Sequence, residues 1–279
     1  MAAVKQLSLA ATELQPHPHG VRFVKLIFIV LWLGFGRLAS AADSQIFPAT
    51  FDYAEPRLIT GAIYEIGSAQ KKILYRFTRT ATRTNDVVHV ERQFVRPDGF
   101  VAATESAVYV AGQLTSFQMK EFQAKVSGTV EITHDPKNPA QSKICIGYGN
   151  GSALKKGDSE NLQPDTVVDD NFYPFMLAHW DKLIKGEAVK FRFVTLEWER
   201  TFGFRLVKCG ETTMHGHTHV QIRMEPTNLL VAGMVKPLVF TVEKDGDHRI
   251  VSYVGRTTPR TQKGKTWKYL DAETVFDWE

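Results

Sequence analysis

Beyond about residue 50 the chain alternates apolar and polar positions with a period of two, the pattern of strands that have one covered face. Gly61–Ile66, Ile73–Arg79 and Val87–Val95 carry it most cleanly. Arg96-Pro97-Asp98-Gly99 follows, where Pro presets φ and Gly accepts a positive one, so a hairpin is predicted there. Further strands are predicted at Phe100–Val110, Gln113–Ala124 and Val126–Thr133, with Ala111-Gly112 as a tight turn and 134–139 as a loop. The pattern resumes at Ala188–Arg200, Phe202–Lys208, Thr218–Met224, Pro237–Lys244, Arg249–Gly255 and Thr266–Trp278. This makes about twelve strands, regularly spaced, whose neighbours in sequence are expected to be neighbours in an antiparallel sheet. The stretch from about 147 to 165, rich in Gly, Ser, Asn and Lys, is expected to be a mobile excursion. Asn228–Val235 is apolar all round and fits either a short buried helix or a strand.

One segment, about 171–185, has helical period instead. Phe172, Phe175, Met176, Trp180, Leu183 and Ile184 fall on one face. Asp169, Asp170 and Asn171 stand where the first N–H groups need acceptors, Pro174 lies in the first turn, and Gly186 stands where a left-handed residue ends a helix. Such a helix either covers the sheet as part of its core or forms a lid over a ligand cavity lined by its aromatic side chains.

The first forty residues read differently. Arg22 and Lys25 lead into the apolar run Leu26–Phe35, and Ala39-Ser40-Ala41 then gives the small-x-small pattern of a signal-peptidase site. The run is shorter than the roughly 20 apolar residues a spanning helix needs. Residues 1–41 are therefore expected to be a signal peptide cleaved after Ala41, leaving one β-rich domain at 42–279, periplasmic or secreted, with no transmembrane segment. The whole chain carries 34 Lys and Arg against 30 Asp and Glu. Removing Lys5, Arg22, Lys25 and Arg37 together with Glu13 leaves a formal charge of +1. The basic balance thus belongs to the leader, and nothing in the mature composition favours nucleic acid as a partner. Cys145 and Cys209 are the two cysteines; in an oxidising compartment they either form a disulfide or stay as buried thiols.

Candidate chemistry is sparse. His215, His217 and His219 alternate, and on one strand they would share a face able to hold zinc or copper; Gln221 and Arg223 continue that face, which reads as solvated. Asp169 and Asp170 are a possible acid and base pair, though capping explains them more simply. Glu197 and Glu199 alternate with Leu196 and Trp198 as an outward strand face. Gly147–Gly151 has the glycines of a phosphate loop without the Lys and Ser/Thr. No nucleophile elbow, His-Glu-x-x-His or Cys-x-x-Cys occurs, so no catalytic residue is assigned.

The order Asp169 to Phe175, then Trp180 and Gly186, a long strand from Val189, and Glu225-Pro226 after Gly210-Glu211 resembles the exported bacterial domain-of-unknown-function 3108 family over residues 55–255. That family is similar in architecture to periplasmic lipoprotein carriers. The resemblance implies a mainly β fold, a large strongly curved antiparallel sheet or incomplete β-barrel with one amphipathic helix as lid or plug. It also implies that Phe172, Phe175, Met176 and Trp180 line the lid while Phe191 and Phe193 project from the facing strand. The function so implied is non-enzymatic binding of a hydrophobic small molecule or lipid, with an envelope protein as a further partner. A structural or assembly role in the envelope is the alternative, and a metal-dependent role for the histidine strand the third.

Overall fold

The computed structural model describes residues 51–150, 153–233 and 235–278. The expected signal peptide and its cleavage site at Ala41 lie outside the described residues. The twelve period-two segments and three further strands form one fifteen-stranded sheet. The first eight are β1 (Leu58–Tyr64), β2 (Ile73–Thr84), β3 (Val87–Val95), β4 (Val101–Val110), β5 (Gln113–Glu121), β6 (Val126–Thr133), β7 (Lys143–Asn150) and β8 (Ala153–Asn161). The others are β9 (Thr166–Val167), β10 (Val189–Thr195), β11 (Arg200–Met214), β12 (His217–Pro226), β13 (Leu238–Glu243), β14 (Ile250–Lys263) and β15 (Thr266–Trp278). Each half is a meander, and the halves join where β1 pairs antiparallel with β15. Only the β9–β10 pair is parallel.

This order leaves β8 and β9 at opposite edges of the sheet, yet they are consecutive along the chain. Only residues 162–165 separate them. Fully extended, the step from Asn161 to Thr166 spans about 18 Å, whereas fifteen strands laid flat would part the edges by roughly 67 Å. The sheet therefore rolls back on itself into an incomplete barrel, closed by the chain and by side chains in place of a β8–β9 ladder. A 3-10 turn at Leu196–Trp198, between β10 and β11, supplies much of the closure. Leu196 lies so close to Gly128 of β6 that a Cβ there would be 2.7 Å from its Cδ1. The Tyr148 hydroxyl on β7 donates to Glu197 at 3.1 Å, and its backbone N–H donates to Glu199 at 3.3 Å. The β14–β15 hairpin shifts register between Thr257 and Thr261 and carries Arg260 across to the same place. There Arg260 pairs with Glu197, donates to the Tyr148 hydroxyl at 2.7 Å, and offers its backbone N–H to Glu121 at 2.8 Å.

Three expectations are corrected. The stretch 147–165 is an edge hairpin of β7 and β8 followed by the link to β9; its low apolar content reflects an edge strand, where less surface is covered. Glu197 and Glu199 stand in the closing turn and not on a strand face. The strand count rises because β8 and the two-residue β9 lack apolar alternation, and because Gly147 and Gly149 mask the alternation of Ile144, Ile146 and Tyr148 in β7. The Arg96–Gly99 and Ala111-Gly112 turns form as predicted, with Gly99 at φ +86° and Gly112 at φ +77°. Cys145 and Cys209 are both free, on β7 and β11.

The helical segment connects β9 to β10 as α1 (Phe172–Ala178) and α2 (Trp180–Ile184), broken at His179 and ended by Gly186 at φ +82°. A short α3 (Leu229–Ala232) resolves the ambiguous apolar stretch. No helix among the described residues is long and apolar enough to cross a membrane.

β1 is the strand on which both meanders depend, and Gly61 at its centre admits no side chain: a Cβ would stand 2.2 Å from the Val275 carbonyl oxygen and 2.5 Å from the Phe77 ring. Gly61→Val is expected to lower stability by about 3 kcal/mol or more, read as a shifted midpoint in urea unfolding. An unchanged midpoint would mean that the junction of the two halves tolerates repacking.

Candidate functional site

The helix lies on the face formed by β10 to β14, and its buried residues Phe172, Phe175, Met176, Trp180 and Leu183 join one cluster with Phe191, Phe204, Phe240 and Ile250. Phe172 stacks on Phe240 at 4.7 Å between ring centroids, and Phe175 lies 5.2 Å from Phe191. Trp180 stacks on His248 at 4.4 Å. Five of the residues singled out from sequence thus converge, and Phe193 packs half-buried at the margin of the cluster. The sequence did not single out Phe204, Phe240, Tyr253, Phe276 or Trp278, which complete the aromatic wall. Full burial of each large ring contributes about 1.5–3 kcal/mol, so this face is the main attachment of the helix.

Its leading end is held by charge. Arg79 on β2, Arg92 on β3 and Glu105 on β4 all take inward positions, and the register sets Arg79 opposite Arg92 and Arg92 opposite Glu105. Asp169 and Asp170, in the turn before α1, reach this row. Arg79 Nε lies 3.0 Å from Asp170, Arg92 Nη1 lies 2.6 Å from Asp169 and 2.9 Å from Glu105, and the Tyr109 hydroxyl donates to Asp170 at 2.8 Å. Arg79 also donates to the carbonyls of Pro56 and Tyr53. The two aspartates are therefore not helix caps. Asn171, at the N-cap, makes no side-chain cap bond, and its Oδ1 accepts the Val168 N–H at 2.8 Å instead.

Three carboxylates here face two guanidinium groups, one negative charge in excess. Burial works to raise Asp170, but the charges of Arg79 and Arg92 outweigh it and hold the carboxyl below its ordinary value. Glu105 responds the other way: burial, with the charge of Asp169 added, pushes it up despite Arg92. Glu105 is thus the member of the cluster that most readily takes up a proton. Burial likewise raises Tyr109, whose hydroxyl stays a donor. The space between Arg92, Glu105, Phe117 and Asp170 leaves no room for a water molecule. An open groove of about 370 Å³ lies on the opposite face of β2–β5, lined by Thr78, Gln93, Thr104, Ser106 and Lys120 among others. Chemically, the inner row is a fully engaged ion cluster, buried at Arg79, Asp170 and Glu105 and open to solvent at Asp169, that ties the helix to the other half of the barrel.

The histidines are not arranged as the alternation implied. His215 and Gly216, at φ +52° and +81°, are the two turn residues of the β11–β12 hairpin. His217 is exposed on the strand, and His219 is buried. The strand reading of three histidines on one face is corrected for that reason. Among the described residues no group of three or more His, Cys, Asp or Glu side chains is placed to hold a metal ion.

No family model and no curated protein matches this chain, so the likeness to the 3108 family rests on the residues alone. Among solved structures, a β-barrel-like protein of domain of unknown function DUF1849 from Brucella abortus is similar, with a TM-score of 0.37, 8% identity, and coverage of 79% of this chain and 95% of that one. The incomplete barrel described here is established by its own strand order.

The opposed shifts of Asp170 and Glu105 predict a stability maximum at mildly acidic pH. Asp170, held low when folded, contributes stability above its unfolded value of 3.8 that is lost as pH falls. Glu105, raised when folded, contributes most below its unfolded value of 4.5, and that part is lost as pH rises toward its folded value of about 8. Urea unfolding between mildly acidic and mildly alkaline pH should show a decline on the order of a few kcal/mol, and Glu105→Gln should flatten it. A wild-type profile without the alkaline decline would show that Glu105 is ionised in the folded state.

Proposed function

We propose that this domain is an exported, non-enzymatic binding protein for a hydrophobic, lipid-like ligand in the cell envelope, with α1–α2 as a lid over the aromatic wall of β10–β14. The observation that carries this reading is the division of labour along the helix. Its broad face packs on the apolar side chains of β10–β14, with polar contacts only at its rim, where Trp180 stacks on His248 and the Tyr173 hydroxyl donates to the Asp247 carbonyl at 3.0 Å, while its ion pairs to the opposite half are made by Asp169 and Asp170. A segment attached this way can lift as a unit about β9 and Gly186 and exchange one apolar contact surface for another. An acyl chain recovers roughly 25 cal/mol per Å² it removes from water, which matches what the lifted rings lose; a polar ligand does not. Export is supported by the Arg22 to Ala41 pattern, and the likeness to the 3108 family points the same way.

A second reading is favoured by the close ring contacts of Phe172 with Phe240 and Phe175 with Phe191, in which the helix completes the core of a structural component of the envelope. Native purification followed by denaturing mass spectrometry separates the two. On the lid reading the protein carries a stoichiometric lipid, and Phe175→Asp or Trp180→Asp loses it. Phe193→Asp, at the half-buried margin, should weaken uptake of a fluorescent fatty acid by about tenfold without unfolding the domain. A lipid-free protein that also leaves the fatty acid in solution would decide for the structural reading.

A further inference from the structure

Seven large apolar side chains stand exposed among the described residues: Ile66, Phe100, Val110, Phe122, Leu154, Val254 and Tyr269. Single exposed apolar residues are common and require no explanation. Their placement here does. In an antiparallel meander successive hairpins alternate between the two ends of the sheet, so the β1–β2, β3–β4, β5–β6 and β7–β8 connections share one end, and the β14–β15 tip joins them because β15 runs antiparallel to β1. Ile66, Phe100 and Phe122 lie in the first three of these connections, 51%, 46% and 47% exposed, and Leu154 is the second residue after the fourth, 36% exposed. Adjacent tips are two strands apart, about 10 Å, so the four form a row about 30 Å long. At the other end, Val110 is the exposed counterpart.

Charge divides the same way. The connections at this end, 65–72, 96–100, 122–125, 196–199, 227–237 and 264–265, contain six Lys and Arg against four acids, of which Glu197 and Glu199 are engaged by Arg260 and the Tyr148 N–H. Glu65 is paired with Lys72, and Asp98 with Arg96, whose guanidinium lies 5.5 Å from the Phe100 ring centroid. The turns at the opposite end, 85–86, 111–112, 134–142, 162–165, 215–216 and 244–249, contain three Lys and Arg against five Asp. Apolar side chains on successive tips, with cations beside them, match the layering of an anionic bilayer surface: rings below the headgroups, ammonium and guanidinium groups at phosphate level.

We infer that the end of the barrel bearing Ile66, Phe100, Phe122 and Leu154 docks on an anionic lipid bilayer. The inference stands apart from the lid, since it concerns a rim of hairpins and not the helix. The test uses the full chain with Cys145→Ser and Cys209→Ser, and an environment-sensitive fluorophore attached after Phe100→Cys, Phe122→Cys or, at the opposite end, Val110→Cys. Because the run Leu26–Phe35 can itself attach the chain to vesicles, the readout is local to each label. With phosphatidylcholine vesicles containing phosphatidylglycerol, labels at 100 and 122 should shift to the blue while the label at 110 stays aqueous. Phosphatidylcholine alone should give little shift. Lys71→Glu with Lys72→Glu should raise the lipid concentration needed by about fivefold or more, and added salt should do likewise. Labels at 100 and 122 that remain aqueous, that respond equally to neutral vesicles, or that shift with a soluble protein instead of with lipid would overturn the inference.

Discussion

A link of four residues, 162–165, between the two edge strands is the constraint from which the interior of this protein follows. Fifteen strands in one sheet, with edges tied that closely, must curl and enclose a volume. Nothing in a meander fills such a volume unless the strands themselves carry large inward side chains or another element enters. Here both happen. Tyr53, Tyr109 and Phe117 fill the side of β3–β7, and the helix, inserted at the point where the chain crosses from one edge to the other, fills the side of β10–β14. Arg260 of β14, Glu197 of the β10–β11 turn and Tyr148 of β7 are hydrogen-bonded together across the roll, a link between the two halves that no strand ladder provides.

The inner ion cluster belongs to the same geometry. A buried ion pair seldom contributes net stability over apolar packing, but breaking one by removing a partner is costly because a charge remains without compensation. Asp170 is engaged by Arg79, Arg92 and Tyr109 together, so the turn before α1 has one position in which its carboxylate is satisfied. The cluster thereby fixes where the helix begins. How strongly the helix holds is set elsewhere, by the rings of Phe172, Phe175 and Trp180 against the wall.

Much of this was legible along the chain. Strands with clean alternation, the turns at Arg96–Gly99 and Ala111-Gly112, and the helix with its terminal Gly186 all follow from local stereochemistry. β8 escaped because an edge strand does not have to be apolar, β7 because its glycines mask the alternation of Ile144, Ile146 and Tyr148, and the His215-Gly216 turn because alternation of one residue type looked like a strand face when the Gly was the better signal. The charged row could have been found in part. Arg79, Arg92 and Glu105 each interrupt the apolar face of a strand otherwise occupied by Phe77 and Ala81, Val90 and Phe94, or Ala103 and Ala107. Counting register from the intervening turns would have set them side by side. That Asp169 and Asp170 answer them could not be read, because it depends on a contact some 80 to 90 residues distant in sequence, created by the roll of the sheet.

The two attachments of the helix also bear on what could replace it. Five buried side chains at about 1.5–3 kcal/mol each give the apolar face a gross contribution on the order of 10 kcal/mol, while the ion cluster contributes close to nothing net once its desolvation is counted. A ligand that lifted the helix would have to match the apolar term, and the turn could leave the row only if the buried Asp170 carboxylate reached water, as Asp169 already does. On the proposed reading, a long hydrocarbon chain beneath the rings would meet the first requirement and an outward shift of the Asp169–Asp170 turn the second, whereas a small polar molecule would not replace the apolar contacts. On the lid reading proposed above, the packed interior has to be exchangeable, and the mainly apolar contacts of the helix are of the kind that an acyl chain can duplicate.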